Sequence, residues 1–199
     1  NSKVAKMTID AQFENLINTA TEGTGSINGN VWCALDTSGS MGSYIDIKKS
    51  KLTAFDVCLS LGIYFSTLNK GAFNKNVIMF DSTSNVKQLS GTFSEMYKQI
   101  VDGNTAWGST NFQSVIDEII RIRKTRPHIP LEDYPTTLLV VSDMQFDNCG
   151  NSSNYDRMKS KLYSVFPTEF VDSMKFIWWQ VNGKRVTDVP ATIEDGGCY

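Results

Sequence analysis

Two five-residue runs without a charged side chain, Val31-Trp32-Cys33-Ala34-Leu35 and Thr137-Leu138-Leu139-Val140-Val141, constrain this chain more than any other feature. Each is short for a buried helix, and too continuously apolar for a strand with one face in water, which would alternate. Both read as strands buried on both faces. Each stops at oxygen-bearing residues, Asp36 after the first and Ser142-Asp143 after the second. Met174 to Val181, with Phe176, Ile177, Trp178 and Trp179, is a third candidate strand, and Val77 to Phe80 a shorter fourth. The polar stretch Asp81 to Asn85 then leads into Val86-Lys87-Gln88-Leu89, a hairpin whose second strand lies at a sheet edge.

Between these runs the period lengthens. Leu52, Phe55, Leu59 and Ile63 recur at helical spacing within Lys51 to Leu68, as do Phe112, Val115, Ile116, Ile119 and Ile120 within Asn111 to Arg123. Weaker helical patterns cover Phe93 to Val101 and Tyr155 to Val165. Met7, Phe13, Leu16 and Ile17 mark an N-terminal helix, followed by a Gly/Ser/Asn-rich loop from Glu22 to Asn30. Strands alternating with helices predict a three-layer, Rossmann-like α/β fold, with a mostly parallel central sheet, one antiparallel edge strand and helices on both faces. The expected organisation is an N-terminal helix and loop, residues 1–29, packed on a single domain, residues 30–199. Ligands of such sheets lie outside the carboxyl ends of the strands, where Asp36 and Asp143 stand.

The bulk numbers remove other classes. A formal net charge of −2 with 20% charged residues supplies no global basic field for nucleic acid or an anionic membrane. The clusters Lys48, Lys49, Lys51 and Arg121, Arg123, Lys124, Arg126 read as solvated helical faces. No apolar run is long enough to span a membrane, and no signal-peptide pattern opens the chain. Cys33, Cys58, Cys149 and Cys198 are too dispersed for a zinc or redox motif, and Cys33 and Cys58 lie in apolar patterns as small hydrophobes, so a reducing, cytoplasmic setting is expected. Asn151-Ser152-Ser153 fits a glycosylation acceptor, a pattern common by chance.

Asp36-Thr37-Ser38-Gly39-Ser40-Met41-Gly42 gathers a carboxylate and hydroxyls in one turn directly after a buried strand. Such oxygens suit a small hard cation, and Mg²⁺ typically takes only one or two carboxylates. The alternative is that Asp36 and the serines cap the next helix, and Asp143 the one after it.

This turn resembles the Asp-x-Ser-x-Ser element of the metal-ion-dependent adhesion site of von Willebrand factor A-type domains. Gly108-Ser109-Thr110-Asn111 resembles the threonine loop of that family, and Ser142-Asp143 its third element. The resemblance runs from about Asn30 to Val181. It implies a metal site made of Asp36, Ser38, Ser40, Thr110 and Asp143, with the hydroxyls on the ion directly or nearly so and the carboxylates directly or through water. It further implies Mg²⁺ or Mn²⁺ rather than Ca²⁺, and a protein or other ligand whose exposed carboxylate completes the coordination. A-type domains usually continue past the position of Cys198-Tyr199, so a truncated or excised domain is expected.

The stretches Trp107 to Phe112 and Ser142 to Asp147 resemble an intracellular branch related to the Ro ribonucleoprotein group. The helical RNA-binding module of that group is not visible here, so direct RNA binding is not expected, and a scaffold role in a Ro-like protein is the alternative function. Trp107 and Asp147 are candidates for the rim of the site. A metal-assisted hydrolase is a further alternative, but the only histidine, His128, falls in a connection expected along the opposite sheet edge. No Gly-x-x-x-x-Gly-Lys-Ser/Thr loop occurs. The chain is therefore expected to bind rather than catalyse.

Overall fold

The computed structural model describes residues 2–23, 29–45, 51–103, 108–143 and 154–181, together with the strand 197–198. Among the described residues six strands form one sheet: β1 (Val31–Asp36), β2 (Asn76–Phe80), β3 (Ser84–Gln88), β4 (Thr137–Ser142), β5 (Lys175–Gln180) and β6 (Gly197–Cys198), in the order β3-β2-β1-β4-β5-β6. All neighbours are parallel except β2 and β3, whose hairpin puts the antiparallel strand at the edge. The helices are α1 (Ser2–Glu22), α2 (Ala54–Leu68), α3 (Phe93–Gly103), α4 (Gln113–Thr125), α5 (Asn154–Leu162) and α6 (Thr168–Ser173).

The two uninterrupted apolar runs are the two central strands, with every residue of β1 buried. Successive side chains alternate faces. Trp32, Ala34, Leu138 and Val140 pack with Val115, Ile116 and Ile119 of α4 and with Met158 and Leu162 of α5. Val31, Cys33, Leu35, Leu139 and Val141 pack on the other face against Phe55, Cys58, Leu59 and Ile63 of α2 and Met96 and Ile100 of α3. This is the expected three-layer arrangement. Gly62 permits the close seat of α2 on β1: a Cβ there would lie 2.4 Å from a Leu35 methyl.

Helix α1 lies outside the α2–α3 layer and has no buried residue. Phe13 meets Phe93 at 4.8 Å between ring centroids, and Asp10 Oδ1 accepts the Ser94 amide at 2.7 Å, capping the start of α3 from a distant helix. At the sheet edge, the outward amide of Val86 on β3 donates to Glu118 Oε1 of α4 at 2.9 Å, and Ser84 Oγ donates to the Ser114 carbonyl at 2.6 Å. Glu118 is held in turn by a two-pronged contact from Arg121.

Helix α2 begins later than its periodicity suggests. Thr53 and Asp56 form a capping box that starts the helix at Ala54, so Leu52 falls outside it and is 53% exposed. Periodicity carries no signal for α6, one short turn-and-a-half after Pro167, or for the two-residue β6.

Candidate metal centre

Strand order reverses between β1 and β4: the chain leaves β1 toward β2 and leaves β4 toward β5. The connections diverge there and open a crevice at the carboxyl ends of the two central strands, the usual ligand position of open α/β sheets. Asp36 and Ser142-Asp143 end those two strands. Because Leu35 pairs with Val141, the next residues, Asp36 and Ser142, stand side by side.

Asp36 is fully buried. Its Oδ1 accepts the Ser38 amide at 2.9 Å, and its Oδ2 accepts the Ser142 hydroxyl at 2.5 Å. The first bond folds the chain back after the strand, and a 3-10 turn over Gly39–Gly42 continues it, with the Met41 amide on the Ser38 carbonyl at 3.2 Å and the Met41 side chain buried as an anchor. The hydroxyls of Ser38 and Ser40 are thereby left 3.2 Å apart. Thr37 points away, its amide and hydroxyl both on the Phe80 carbonyl of β2 at 2.8 and 3.1 Å.

The threonine loop reaches the same place through β2. Asn111 donates its amide to the Asp81 carbonyl at 2.8 Å, the Ser109 amide donates to Ser82 Oγ at 3.1 Å, and the Gly39 amide approaches the Gly108 carbonyl at 3.5 Å. A Cβ on Gly108 would fall 2.0 Å from Ser82 Oγ and 3.1 Å from its amide nitrogen, so only glycine lets the two loops close on each other. Thr110, between these anchors, is buried.

All five residues singled out in the sequence, Asp36, Ser38, Ser40, Thr110 and Asp143, thus belong to loops that meet at one end of the sheet. Trp107 and Asp147 lie outside the described residues, as do Lys48, Lys49 and the Asn151 tripeptide. The helix-cap alternative fails for the first loop: Ser38 makes no side-chain cap bond, and α2 is capped by Thr53 instead. For Asp143 the residues that follow, 144–153, lie outside the described residues.

Burial pushes the Asp36 carboxyl from 3.8 up to about 6; bonds from Ser142 and Ser38 counter this, and the nearby charge of Asp143 adds to it. At neutral pH Asp36 is still mostly ionised, in a buried crevice that Asp143 and hydroxyl groups also line. Among the described residues no three His, Cys, Asp or Glu side chains cluster. The side-chain oxygens that the three loops carry to this end of the sheet, the carboxylates of Asp36 and Asp143 and the hydroxyls of Ser38, Ser40 and Thr110, are of the hard type that a small cation such as Mg²⁺ accepts.

Ser142 is the residue that reading the sequence did not assign. Its hydroxyl at the end of an apolar strand could have been found from register, since equal-length parallel runs set the first polar residues of each side by side. Beneath the site, the Cys58 thiol lies 3.3 Å from the Val141 carbonyl and 3.8 Å from that of Asp36. Cys33 and Cys58 are both buried and free, as expected, and burial raises both thiols far from the reactive range.

The sequence profile of a family described only as a domain of unknown function, DUF7788, matches residues 31–198. The chain belongs to the DUF7788 family. The DUF7788 match opens at β1 and takes in every loop of the crevice, leaving α1 outside it. A relative of the DUF7788 chain, an uncharacterized protein of Acanthamoeba polyphaga mimivirus, is 27% identical over 184 residues. That alignment covers 87% of this chain but only 28% of the viral protein, so the chain spans less than a third of that relative's length.

Proposed function

We propose that this domain is a von Willebrand A-type, cation-dependent binding module, in which Asp36, Ser38, Ser40, Thr110 and Asp143 hold Mg²⁺ or Mn²⁺ and a partner's carboxylate completes the site. The single observation that carries the reading is buried Asp36 at the switch point between β1 and β4, bonded by Ser38 and Ser142, with Asp143 the next residue on the neighbouring strand's loop. The bound ion would neutralise these carboxylates and offer an open Lewis-acidic position to an acidic ligand. Ser142 orients the Asp36 carboxylate from behind, as second-layer hydrogen bonds do for metal ligands. Ser38 and Ser40 keep their hydroxyls together on a turn anchored by Met41. Hydroxyl ligands add no charge, which leaves the centre receptive to an anion.

We read the module as non-catalytic. The one histidine is exposed in the connection between α4 and β4, at the opposite end of the sheet from the crevice, so no imidazole base reaches Ser38 or Ser40. A cytoplasmic setting is part of the reading, supported by the buried free thiols of Cys33 and Cys58. Among the described residues no helix is long and apolar enough to cross a membrane.

Calorimetric titration of Mg²⁺, Mn²⁺ and Ca²⁺ into chelator-treated protein tests this. Saturable one-site binding, strongest for Mg²⁺ or Mn²⁺ and abolished in Asp36→Ala, is the expected result. Saturation at a hundredfold excess over Kd should stabilise the fold by about 2.7 kcal/mol. No binding of any ion to the wild type, or binding unchanged in Asp36→Ala, would sink the reading.

A further inference from the structure

Between the 3-10 turn and α2, residues 43–45 and 52–54 form a short antiparallel pair. Ala54 donates to the Ser43 carbonyl and Ile45 to that of Leu52, both at 3.0 Å, and Tyr44 bridges Thr53. The Ser43 amide bonds the Ser40 carbonyl at 3.1 Å, so this pair stands immediately beside Ser40 of the crevice. Its large apolar side chains are held in solvent: Tyr44 is 53%, Ile45 40% and Leu52 53% exposed. Residues opposite each other on an antiparallel pair share a face, so Ile45 and Leu52 act as one apolar surface.

That surface continues into a cleft of about 550 Å³ between α1 and α2, whose walls include Leu52, Leu61 and Tyr64 on one side and Ile9 and Leu16 of α1 on the other. Ile9 and Leu16 are themselves 47% and 51% exposed. Asp56 is the only wall residue charged at neutral pH, and both its oxygens are engaged, one by the Tyr97 hydroxyl and the other by the Thr53 amide and hydroxyl. Apart from Asp56 the walls of the cleft carry no charge. Single exposed apolar residues need no explanation, but a contiguous patch beside a polar crevice marks an interaction surface.

We propose that crevice and cleft form one docking surface, and that its occupant is a protein segment carrying an acidic residue with large aliphatic or aromatic side chains a few positions away. This rests on the cation-dependent reading above. The carboxylate goes to the centre held by Asp36, Ser38, Ser40, Thr110 and Asp143. The apolar side chains lie along Ile45 and Leu52 into the cleft, in the manner of extended peptides read through a few side-chain pockets.

Panning a random peptide library displayed on phage against the full chain in Mg²⁺, with elution by EDTA, tests both parts at once. The expected peptides share an Asp or Glu with Leu, Ile, Phe or Trp at a fixed short spacing. A synthetic consensus peptide should bind the Ile45→Ser/Leu52→Ser variant about tenfold more weakly than wild type, a clear step in affinity. Leu16→Ser, from the opposite wall, should weaken the same peptide, while the calorimetric Mg²⁺ titration of both variants matches wild type. An acidic consensus with no apolar preference, or a consensus peptide indifferent to both variants, overturns the cleft proposal and leaves cation binding standing. Absence of any EDTA-eluted peptide, or enrichment that persists on Asp36→Ala protein, overturns the cation-dependent reading itself.

Discussion

At the scale of single residues, Asp36 concentrates the tension of the molecule. Its carboxyl titrates at about 6 in the folded chain, because burial disfavours its charge, against 3.8 when solvated. The folded state therefore holds the proton more tightly. Asp36 favours folding fully below pH 3.8, and that contribution is lost as pH rises through about 6. Two pH units correspond to about 3 kcal/mol. In chelator, wild-type stability relative to Asp36→Asn should accordingly fall by about that much between pH 4 and 7, read from urea unfolding at each pH. A pH-independent difference would show that Asp36 is not buried with its charge uncompensated. Gly62 gives a second outcome at this scale. In a helix interior Gly→Ala ordinarily gains up to about 1 kcal/mol. Here the added methyl meets buried Leu35, and overpacking costs about 1–3 kcal/mol, so Gly62→Ala should lower the urea midpoint rather than raise it. Asp36, Ser38, Ser40 and Asp143 were legible in the sequence because each follows a buried strand whose apolar run stops abruptly. Thr110 was reachable only by resemblance: what brings it in is backbone bonding to Asp81 and the closeness of Gly108 to Ser82, and neither leaves a periodic trace.

At the scale of elements, strands were easier to place than helix ends. A strand buried on both faces is apolar along most of its length, and β1 and β4 are, so their limits follow from composition to within the one polar residue, Asp36 or Ser142, that ends each. Helix starts depend on which side chain caps the first turn, and the Thr53–Asp56 box overrules a periodicity that included Leu52. Helix α1 was also legible, but its role differs from that of the others. It buries no residue and is tied down chiefly by Phe13 against Phe93 and by Asp10 on the Ser94 amide. Local stability follows burial, so native-state hydrogen exchange should find α1 amides opening well before those of α2. Asp10→Ala should lower the α1 opening energy by about 1 kcal/mol, the usual worth of a cap, and leave α2 untouched. Equal protection of the two helices would mean that α1 is an integral part of the core.

At the scale of the whole molecule, the strand order places every proposed ligand at one end and leaves the opposite end to packing, which is why five residues from three distant segments can serve one purpose. The same sheet has a second property at its β3 edge. Glu118 takes the outward amide of Val86 while its side chain is only 7% exposed. Glu118→Ala leaves that amide without its partner, which costs about 1–3 kcal/mol, and uncovers the strand. The variant should unfold at lower urea and scatter light on standing at concentrations where wild type stays clear; clarity in both would assign the edge another guard. Open strand edges recruit foreign strands and seed fibrils. With a carboxylate from α4 already seated in the place a neighbouring chain's carbonyl would take, the Val86 amide is closed to a foreign strand at the middle of this edge.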